Sequence, residues 1–233
     1  MTAATTASLD RAEQAIGQIA VELPGATAVF RRLKLDFCCG GQAPLAEACA
    51  AKGLDPAAVL AELATLDRRD AAPAATDPAA LVEHILSRFH EVHRAQLPEL
   101  ITMARRVEAV HRDHPQVPAG LAAFLQDMHE ALLDHMAKEE QVLFPMLQSG
   151  GHPMVVHPIA AMRHEHTEHG LRLDELSALT HDHTPPPEGC NTWQALYAGT
   201  RQLQEDLIQH IHLENNLLFP QFEPQAQPAA ACC

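Results

Sequence analysis

One eleven-residue pattern occurs twice in this chain and constrains its fold more than any other feature. The segment HMAKEEQVLFP at 135–145 returns as HIHLENNLLFP at 210–220, so that His135, Glu139, Phe144 and Pro145 each recur 75 positions later. In each copy the first His and the Glu are four residues apart, and residues at that spacing share one face of an α-helix. Two helices that turned these faces inward would bring two imidazoles and two carboxylates into one core.

Two further histidines extend the duplication. His90 and His166 are 76 positions apart, and each lies on the apolar stripe of its own predicted helix. The pattern indicates a duplicated helical hairpin in which each half supplies one His and then one His/Glu pair. The candidate metal ligands are therefore four imidazoles and two carboxylates, namely His90, His135, Glu139, His166, His210 and Glu214.

The composition favours an all-α fold. Hydrophobic residues make up 47% of the 233 residues and aromatic residues only 4%, with alanine and leucine abundant; this is typical of helices. Breaks rich in Pro and Gly separate four long apolar-periodic segments, and such short connections favour antiparallel neighbours. The predicted bundle helices run roughly over 78–112, 118–148, 155–181 and 190–219.

A small helical domain is predicted ahead of this bundle. Asp55 and Pro56 form an N-cap followed by a proline at the first helical position, and Pro44 opens another short helix that stops at Gly53. Between the earlier helical stretch and that helix lies the turn DFCCGG at 36–41. The predicted boundaries are 9–69 for this domain, 70–78 for an Ala/Pro linker, 79–223 for the four-helix bundle and 224–233 for a disordered tail.

Charge and cysteine usage restrict the partners and the compartment. The net charge of −14 argues against nucleic acid and anionic membrane surfaces as partners. No apolar run is long enough to span a bilayer, and the first ten residues do not resemble a secretory signal. Four of the six cysteines form two pairs of adjacent residues, and adjacent cysteines form a disulfide only with strain. We therefore expect free thiols in a reducing cytosol.

Two ionised carboxylates in an apolar core are costly unless a cation compensates them. Imidazole with carboxylate suits iron, manganese or zinc, whereas thiolates would indicate softer metals. A zinc protease is excluded because the chain contains no HExxH motif. A ferritin-like centre is disfavoured because Glu108 and His111 form the only ExxH pair, near a helix end. The alternative is a bundle whose buried His and Glu side chains merely pair with one another.

Other polar residues near the ligand faces have a less defined role. Five further histidines of the bundle are expected mostly to be solvated or to support the ligands, namely His84, His93, His111, His164 and His169. His93 and His169 lie close enough to the ligand faces to be alternative ligands. Glu165 is a candidate for supporting a ligand or for handling a proton.

These motifs together resemble a known family. The duplicated His-x-x-x-Glu with its Phe-Pro ending is similar to the hemerythrin-like domain, and the amino-terminal DFCCGG narrows the match to the Repair of Iron Centres (RIC) proteins. The resemblance covers nearly all of 9–223 and includes RFH at 88–90, EH at 165–166 and TPPPE at 184–188. The Cys232-Cys233 tail is a departure from the family pattern, with a metal role, a redox role or no role.

The resemblance implies two non-haem iron ions with oxo and carboxylate bridges. The four histidines would be terminal ligands, and Glu139 and Glu214 the bridging carboxylates. It further implies protection and repair of iron–sulfur clusters damaged by nitric oxide or peroxide, by iron donation or by reduction of nitric oxide to nitrous oxide. The expected partners are damaged iron–sulfur proteins and a small diatomic ligand. A homodimer is an assembly that the sequence leaves open.

Two further functional hypotheses remain at this point. The first concerns the cysteine turn: Cys38 and Cys39 are predicted to be a reactive, catalytic pair with a lowered thiol pKa, because a helix start and the cations Arg31, Arg32 and Lys34 lie nearby in sequence. The alternative for these thiols is simple packing, as expected for Cys49 and Cys190. The second hypothesis is a binding module that holds oxygen or nitric oxide without turnover.

Overall fold

The computed structural model describes residues 11–66 and 77–223, and this part of the chain is helical with no β-strand. The fold class predicted from the sequence is thus confirmed. The described residues form two compact units, one made of 11–77 together with 211–223, the other of 78–210. No helix within the described ranges is both long and apolar enough to cross a membrane. Two predicted segments lie outside them: most of the linker, at 70–76, and the tail at 224–233 with Cys232 and Cys233.

Between residues 16 and 64 the structure describes four short helices of the first unit. Their boundaries coincide with caps and breakers in the sequence. Asp55 caps the start of the helix at Pro56 by accepting a hydrogen bond from the Ala57 N–H at 3.0 Å, and Gly53, just after the preceding helix, adopts a positive φ of 66°. The core of this unit contains buried Ile, Leu and Phe side chains. The helices are α1 Ile16–Glu22, α2 Ala26–Arg32, α3 Leu45–Ala51 and α4 Pro56–Ala64.

The carboxyl-terminal residues of the first unit hold the cysteine turn in place. The Asn215 side-chain amide donates a hydrogen bond to the Cys38 carbonyl at 2.9 Å, and that of Asn216 donates to the Phe37 carbonyl at 3.0 Å. The Phe37 ring also packs edge-on against the buried His212 imidazole, 5.2 Å between centroids. These contacts are specific to the second copy of the repeat, since the first copy has Glu and Gln where the second has two asparagines.

The second unit contains a four-helix bundle close to the predicted one. Its first helix is α5 Pro78–Ile85, a π-helical turn Leu86–His90 and α6 Glu91–Val110; its second is α7 Leu121–Lys138, a π turn Glu139–Leu143 and α8 Phe144–Gln148. After a 3₁₀ turn at Pro153–Val155, the third helix is α9 Val156–Leu179. The fourth helix is α10 Asn191–Leu213, and it is followed directly by a π turn Glu214–Leu218 and a 3₁₀ turn Phe219–Gln221.

Side-chain contacts show that neighbouring bundle helices are antiparallel. Between the first and fourth helices, Arg88 contacts Asp206 whereas Gln96 donates to the Gly199 carbonyl, so the numbering rises on one helix as it falls on the other. The same ordering relates the second and third helices, where Lys138 contacts Glu165 and the Phe124 ring lies 4.4 Å from the Arg172 guanidinium carbon. The short connections predicted this arrangement.

The π turns are a feature that helical periodicity did not predict. Each is closed by an i→i−5 hydrogen bond, from Glu91 N–H to Leu86 O, from Phe144 N–H to Glu139 O and from Phe219 N–H to Glu214 O. In the two repeat copies a proline follows the closing Phe, and its ring nitrogen has no hydrogen to continue the α-helical pattern. All three turns begin or end at a candidate ligand, and π turns are common at functional sites.

The close approach of the cysteine turn to α1 requires glycine at position 41. The Gly17 N–H donates to the Gly41 carbonyl at 2.8 Å, and a Cβ on Gly41 would lie 2.6 Å from the Phe37 carbonyl oxygen. We predict that Gly41→Ala destabilises the first unit by about 1–3 kcal/mol, because backbone must move. Hydrogen exchange of residues 11–66 measures this, with the exposed neighbour Gln42→Ala as control. Equal protection in both variants would contradict the account.

Candidate metal centre

The centre of the bundle contains a fully buried carboxylate, Glu139, at the start of the second π turn. Its Oε1 lies 3.3 Å from His135 Nε2 and 4.0 Å from His166 Nε2, and its Oε2 lies 3.3 Å from His90 Nε2. All three histidines are buried. The structure therefore brings imidazoles from three different helices to the two oxygens of one carboxylate, as the sequence predicted for this position.

His210 completes one side of this cluster. Its Nε2 lies 3.2 Å from His90 Nε2, and its ring stacks on Phe89 with centroids 5.4 Å apart. Each Glu139 oxygen thus belongs to a separate trio of donors. Within each trio the ligand atoms lie within 4.8 Å of one another. The trios are His90, Glu139 and His210 on one side, and His135, Glu139 and His166 on the other.

Glu214 is fully buried and follows His210 by four residues. The helix is continuous between them, since α10 passes directly into the π turn that begins at Glu214. Residues four apart on a helix lie on one face, so the sequence expectation that this pair shares a face is met by the local structure. The equivalent pair in the first copy, His135 and Glu139, has the same helical setting.

Two carboxylates at the rim orient the imidazoles. Glu140 accepts a hydrogen bond from His90 Nδ1 at 2.7 Å and one from Arg94 at 2.6 Å. Glu165 accepts one from His135 Nδ1 at 2.9 Å and one from Lys138 at 2.8 Å. A carboxylate that binds Nδ1–H leaves Nε2 as the lone-pair nitrogen, and metal-binding histidines are commonly held in this way.

These rim carboxylates are kept ionised by their partners. Burial alone would raise the pKa of Glu140, but the hydrogen bonds from His90 and Arg94 outweigh it and lower the pKa. The pKa of Glu165 is lowered in the same manner, with burial opposed by hydrogen bonds from Lys138 and His135. The supporting role expected of Glu165 thus has a defined contact. Glu140 was missed at the sequence level, although its place beside Glu139 in the repeat was a signal.

Burial disfavours the charged form of three imidazoles, those of His210, His93 and His169, and so favours the neutral form that binds metals. Burial, followed by repulsion from His90, lowers the pKa of His210 well below its usual value. Burial also lowers the pKa of His93 to about 3, with His210 as the next cause, and that of His169 to about 3, with His135 next. His93 and His169 are 76 positions apart, like His90 and His166, and each is buried within 6 Å of a candidate ligand ring.

The other histidines considered from the sequence lie away from the cluster. His84 and His164 are exposed. His111 is half-buried at the end of α6, where its Nε2 lies 3.2 Å from the Sγ of Cys190. Cys190 is exposed, while Cys49 is fully buried as expected for a packing residue.

The donor set fits a pair of metal ions. Ligand atoms at about 2.1 Å from one ion lie roughly 3.0–3.4 Å from each other. The 3.2 Å and 3.3 Å separations among His90, His210, His135 and Glu139 match that range. A mixed imidazole and carboxylate set suits iron, manganese or zinc, and Glu139 presents one oxygen to each side, as a bridging carboxylate does.

The lowered thiol pKa that the sequence predicted for the cysteine turn is wrong for Cys38. The pKa of Cys38 is raised well above its usual value, first by its hydrogen bond with Cys39, then by burial and by the Asp36 carboxylate. The helix that follows begins only at Leu45, too far along the chain to influence this thiol. Cys38 is buried and Cys39 half-buried, both as free thiols with their Sγ atoms 3.7 Å apart.

Comparison with known proteins agrees with this site. Residues 81–222 match the family described as Hemerythrin HHE cation binding domain, and residues 12–67 match a domain of unknown function, DUF542. The chain is 48% identical over 211 residues to the iron-sulfur cluster repair protein YtfE of Dickeya chrysanthemi, covering 89% of this chain and 96% of the relative. The proteins of the same name from Citrobacter koseri and Escherichia coli O81 are each 46% identical, with the same coverage.

The second unit and its site therefore define a hemerythrin-type cation-binding protein. The chain belongs to the Repair of Iron Centres family, because it combines this domain with a DUF542 domain and is 48% identical to an iron-sulfur cluster repair protein over 89% of its length. The resemblance found in the sequence is confirmed.

We predict that Glu165→Ala weakens metal binding by roughly 10- to 100-fold, because His135 loses the partner that fixes its ring and protonation. Glu168→Ala is the matched control, since Glu168 lies on the same helix but is exposed. Anaerobic competition with an iron chelator measures both affinities. Equal affinities in the two variants would show that Glu165 does not support a ligand.

Proposed function

We propose that the bundle holds two iron ions through six residues. Four imidazoles would serve as terminal ligands, and two carboxylates would be shared by both ions. The observation that carries this proposal is the Glu139 carboxylate, fully buried with imidazole nitrogens 3.3 Å from each of its oxygens. The ligands are His90, His135, Glu139, His166, His210 and Glu214.

A bound di-iron centre would supply redox chemistry and open coordination positions for a small ligand. The chain provides a dry, buried site, because all six ligands are buried. Glu140 and Glu165 hold the Nδ1 protons of His90 and His135, so that both Nε2 atoms stay available. The buried neutral rings of His93 and His169 add bulk without adding charge beside the ligands.

The function that these features support best is repair of damaged iron–sulfur clusters in the cytosol. The relatives of 46–48% identity bear that name. Carboxylate and imidazole ligands hold ferrous iron less firmly than thiolates would, which suits donation of iron to a damaged cluster. The proposed macromolecular partners are iron–sulfur proteins damaged by nitrosative or oxidative stress. A homodimer stays a prediction.

Reduction of nitric oxide to nitrous oxide is a second activity that the same site could support. Bound in the ferrous state, two ions held by these residues would supply the two electrons that this reduction needs and open positions for two nitric oxide molecules, while solvent would supply two protons and one water would be released. A module that only binds oxygen or nitric oxide is the competing function. Stoichiometric, reversible binding without nitrous oxide release would favour that module.

Cys38 and Cys39 are proposed to act with the bundle site. A hydrogen bond within the first unit supports this proposal, because the Asn215 side-chain amide donates to the Cys38 carbonyl and Asn215 follows the candidate ligand Glu214 in the sequence. Handling of released iron fits this placement, as does electron transfer. Because the pKa of Cys38 is raised, the pair would act through its thiols or with a cation rather than as a free thiolate.

The Glu139→Leu variant tests the metal site. Removing the bridging carboxylate should lower bound iron from about two per chain to one or fewer, with helicity retained, since leucine fills the volume without burying a charge. Glu130→Leu on the exposed side of α7 is the control. Iron analysis after anaerobic loading, with circular dichroism, gives the answer. Unchanged iron content in Glu139→Leu and in Glu214→Leu would exclude the site.

A repair assay tests the function. An iron–sulfur dehydratase inactivated with nitric oxide should regain activity when the iron-loaded protein is added anaerobically, and should not with Glu139→Leu. Free ferrous iron at the same concentration is the control for simple iron supply. Recovery equal to that control would contradict specific repair.

A further inference from the structure

A second group of potential metal ligands lies in the first unit, in the cysteine turn. It consists of the Asp36 carboxylate and the thiols of Cys38 and Cys39, whose ligand atoms lie within 4.8 Å of one another. We propose that this turn is a separate binding site for one divalent metal ion of borderline softness, Fe²⁺ or Zn²⁺. Two thiolates and one carboxylate oxygen would bind the ion and leave a fourth position open.

The distances within the turn match a tetrahedral site. Metal–sulfur bonds of about 2.3 Å at tetrahedral angles place two sulfur ligands about 3.8 Å apart, and a carboxylate oxygen about 3.5 Å from either sulfur. In the structure the two Sγ atoms are 3.7 Å apart, and Cys38 Sγ is 3.4 Å from Asp36 Oδ1. A disulfide would instead require the two sulfurs at about 2.05 Å, with strain between adjacent residues.

The carboxylate is already fixed in place. Asp36 Oδ1 accepts a hydrogen bond from the Cys39 N–H at 2.9 Å, and Oδ2 accepts one from the Gly40 N–H at 3.0 Å. Position 40 must be small, because a Cβ there would lie 3.1 Å from Asp36 Oδ2. Each carboxylate oxygen keeps a second lone pair for a metal. Ligands held in this way lose little freedom when an ion binds.

The carbonyls of the turn are held as well. Asn215 and Asn216 donate to the carbonyls of Cys38 and Phe37, so the backbone between Phe37 and Cys39 is fixed by the carboxyl-terminal residues of the same unit. Thiolate ligands separate this site chemically from the bundle cluster, which contains only imidazole and carboxylate donors. Binding replaces the two thiol protons, which pass to solvent, and no electrons are transferred.

The open fourth position suits a transit site rather than a structural one, since structural zinc sites have four protein ligands. A ferrous ion held there would be accessible to a thiolate of a damaged cluster protein. This use in iron transfer rests on the proposed repair function, whereas metal binding by the turn stands on its own geometry.

Cobalt(II) is the probe, because sulfur ligation produces a charge-transfer band in the near ultraviolet that nitrogen and oxygen ligands do not. The test uses the full chain with Cys190→Ser, Cys232→Ser and Cys233→Ser, so that the other accessible thiols do not contribute. Anaerobic titration should give this band with about one cobalt per chain at the turn. Adding Cys38→Ser or Cys39→Ser should abolish it, and Asp36→Asn should weaken the affinity by roughly tenfold or more.

The outcomes separate this site from the bundle. Glu139→Leu in the same background should leave the sulfur band unchanged even though the bundle loses metal. Absence of the band, or its persistence in the Cys38→Ser, Cys39→Ser double variant, would overturn the proposal and leave a hydrogen-bonded thiol pair. An unchanged affinity in Asp36→Asn would remove Asp36 from the site.

Discussion

The bundle depends on how one buried carboxylate is compensated. Glu139 has no exposed surface, and its oxygens face imidazole nitrogens from different helices at 3.3 Å. Burial of an isolated carboxylate would cost several kcal/mol even after relaxation, and neutral imidazoles compensate it only weakly. A metal ion bound on each side would remove that cost, and this would account for the histidine on the apolar stripe of each bundle helix and for the rim carboxylates that hold His90 and His135.

The two copies of the repeat share the His and Glu of each candidate ligand pair and differ around them. In the first copy Glu139 is followed by Glu140, which accepts a hydrogen bond from His90. In the second copy Glu214 is followed by Asn215 and Asn216, whose side chains instead donate hydrogen bonds to carbonyls of the cysteine turn. The two rim carboxylates thus hold His90 and His135, both in the first half of the duplication. In the second half, the asparagines after Glu214 contact the cysteine turn instead.

The helical fold and the placement of the candidate ligands on helix faces could be predicted from the sequence because both follow from periodicity. Histidines on apolar stripes and repeated His-x-x-x-Glu pairs can be placed on helix faces without any tertiary information. The π turns could not be predicted this way, although Pro145 and Pro220 mark where the α-helical hydrogen bonds must change. The orienting role of Glu140 depends on a contact with His90, 50 positions away. The raised pKa of Cys38 depends on its hydrogen bond with Cys39 and on burial. Residue spacing alone predicts neither.

The most direct test of a two-metal centre bridged by Glu139 is anomalous diffraction at the iron edge from crystals of the iron-loaded protein. The account predicts two anomalous peaks in the bundle, one bound by His90 and His210 and the other by His135 and His166, with Glu139 and Glu214 between them. A single peak, or iron bound without Glu139, would contradict it.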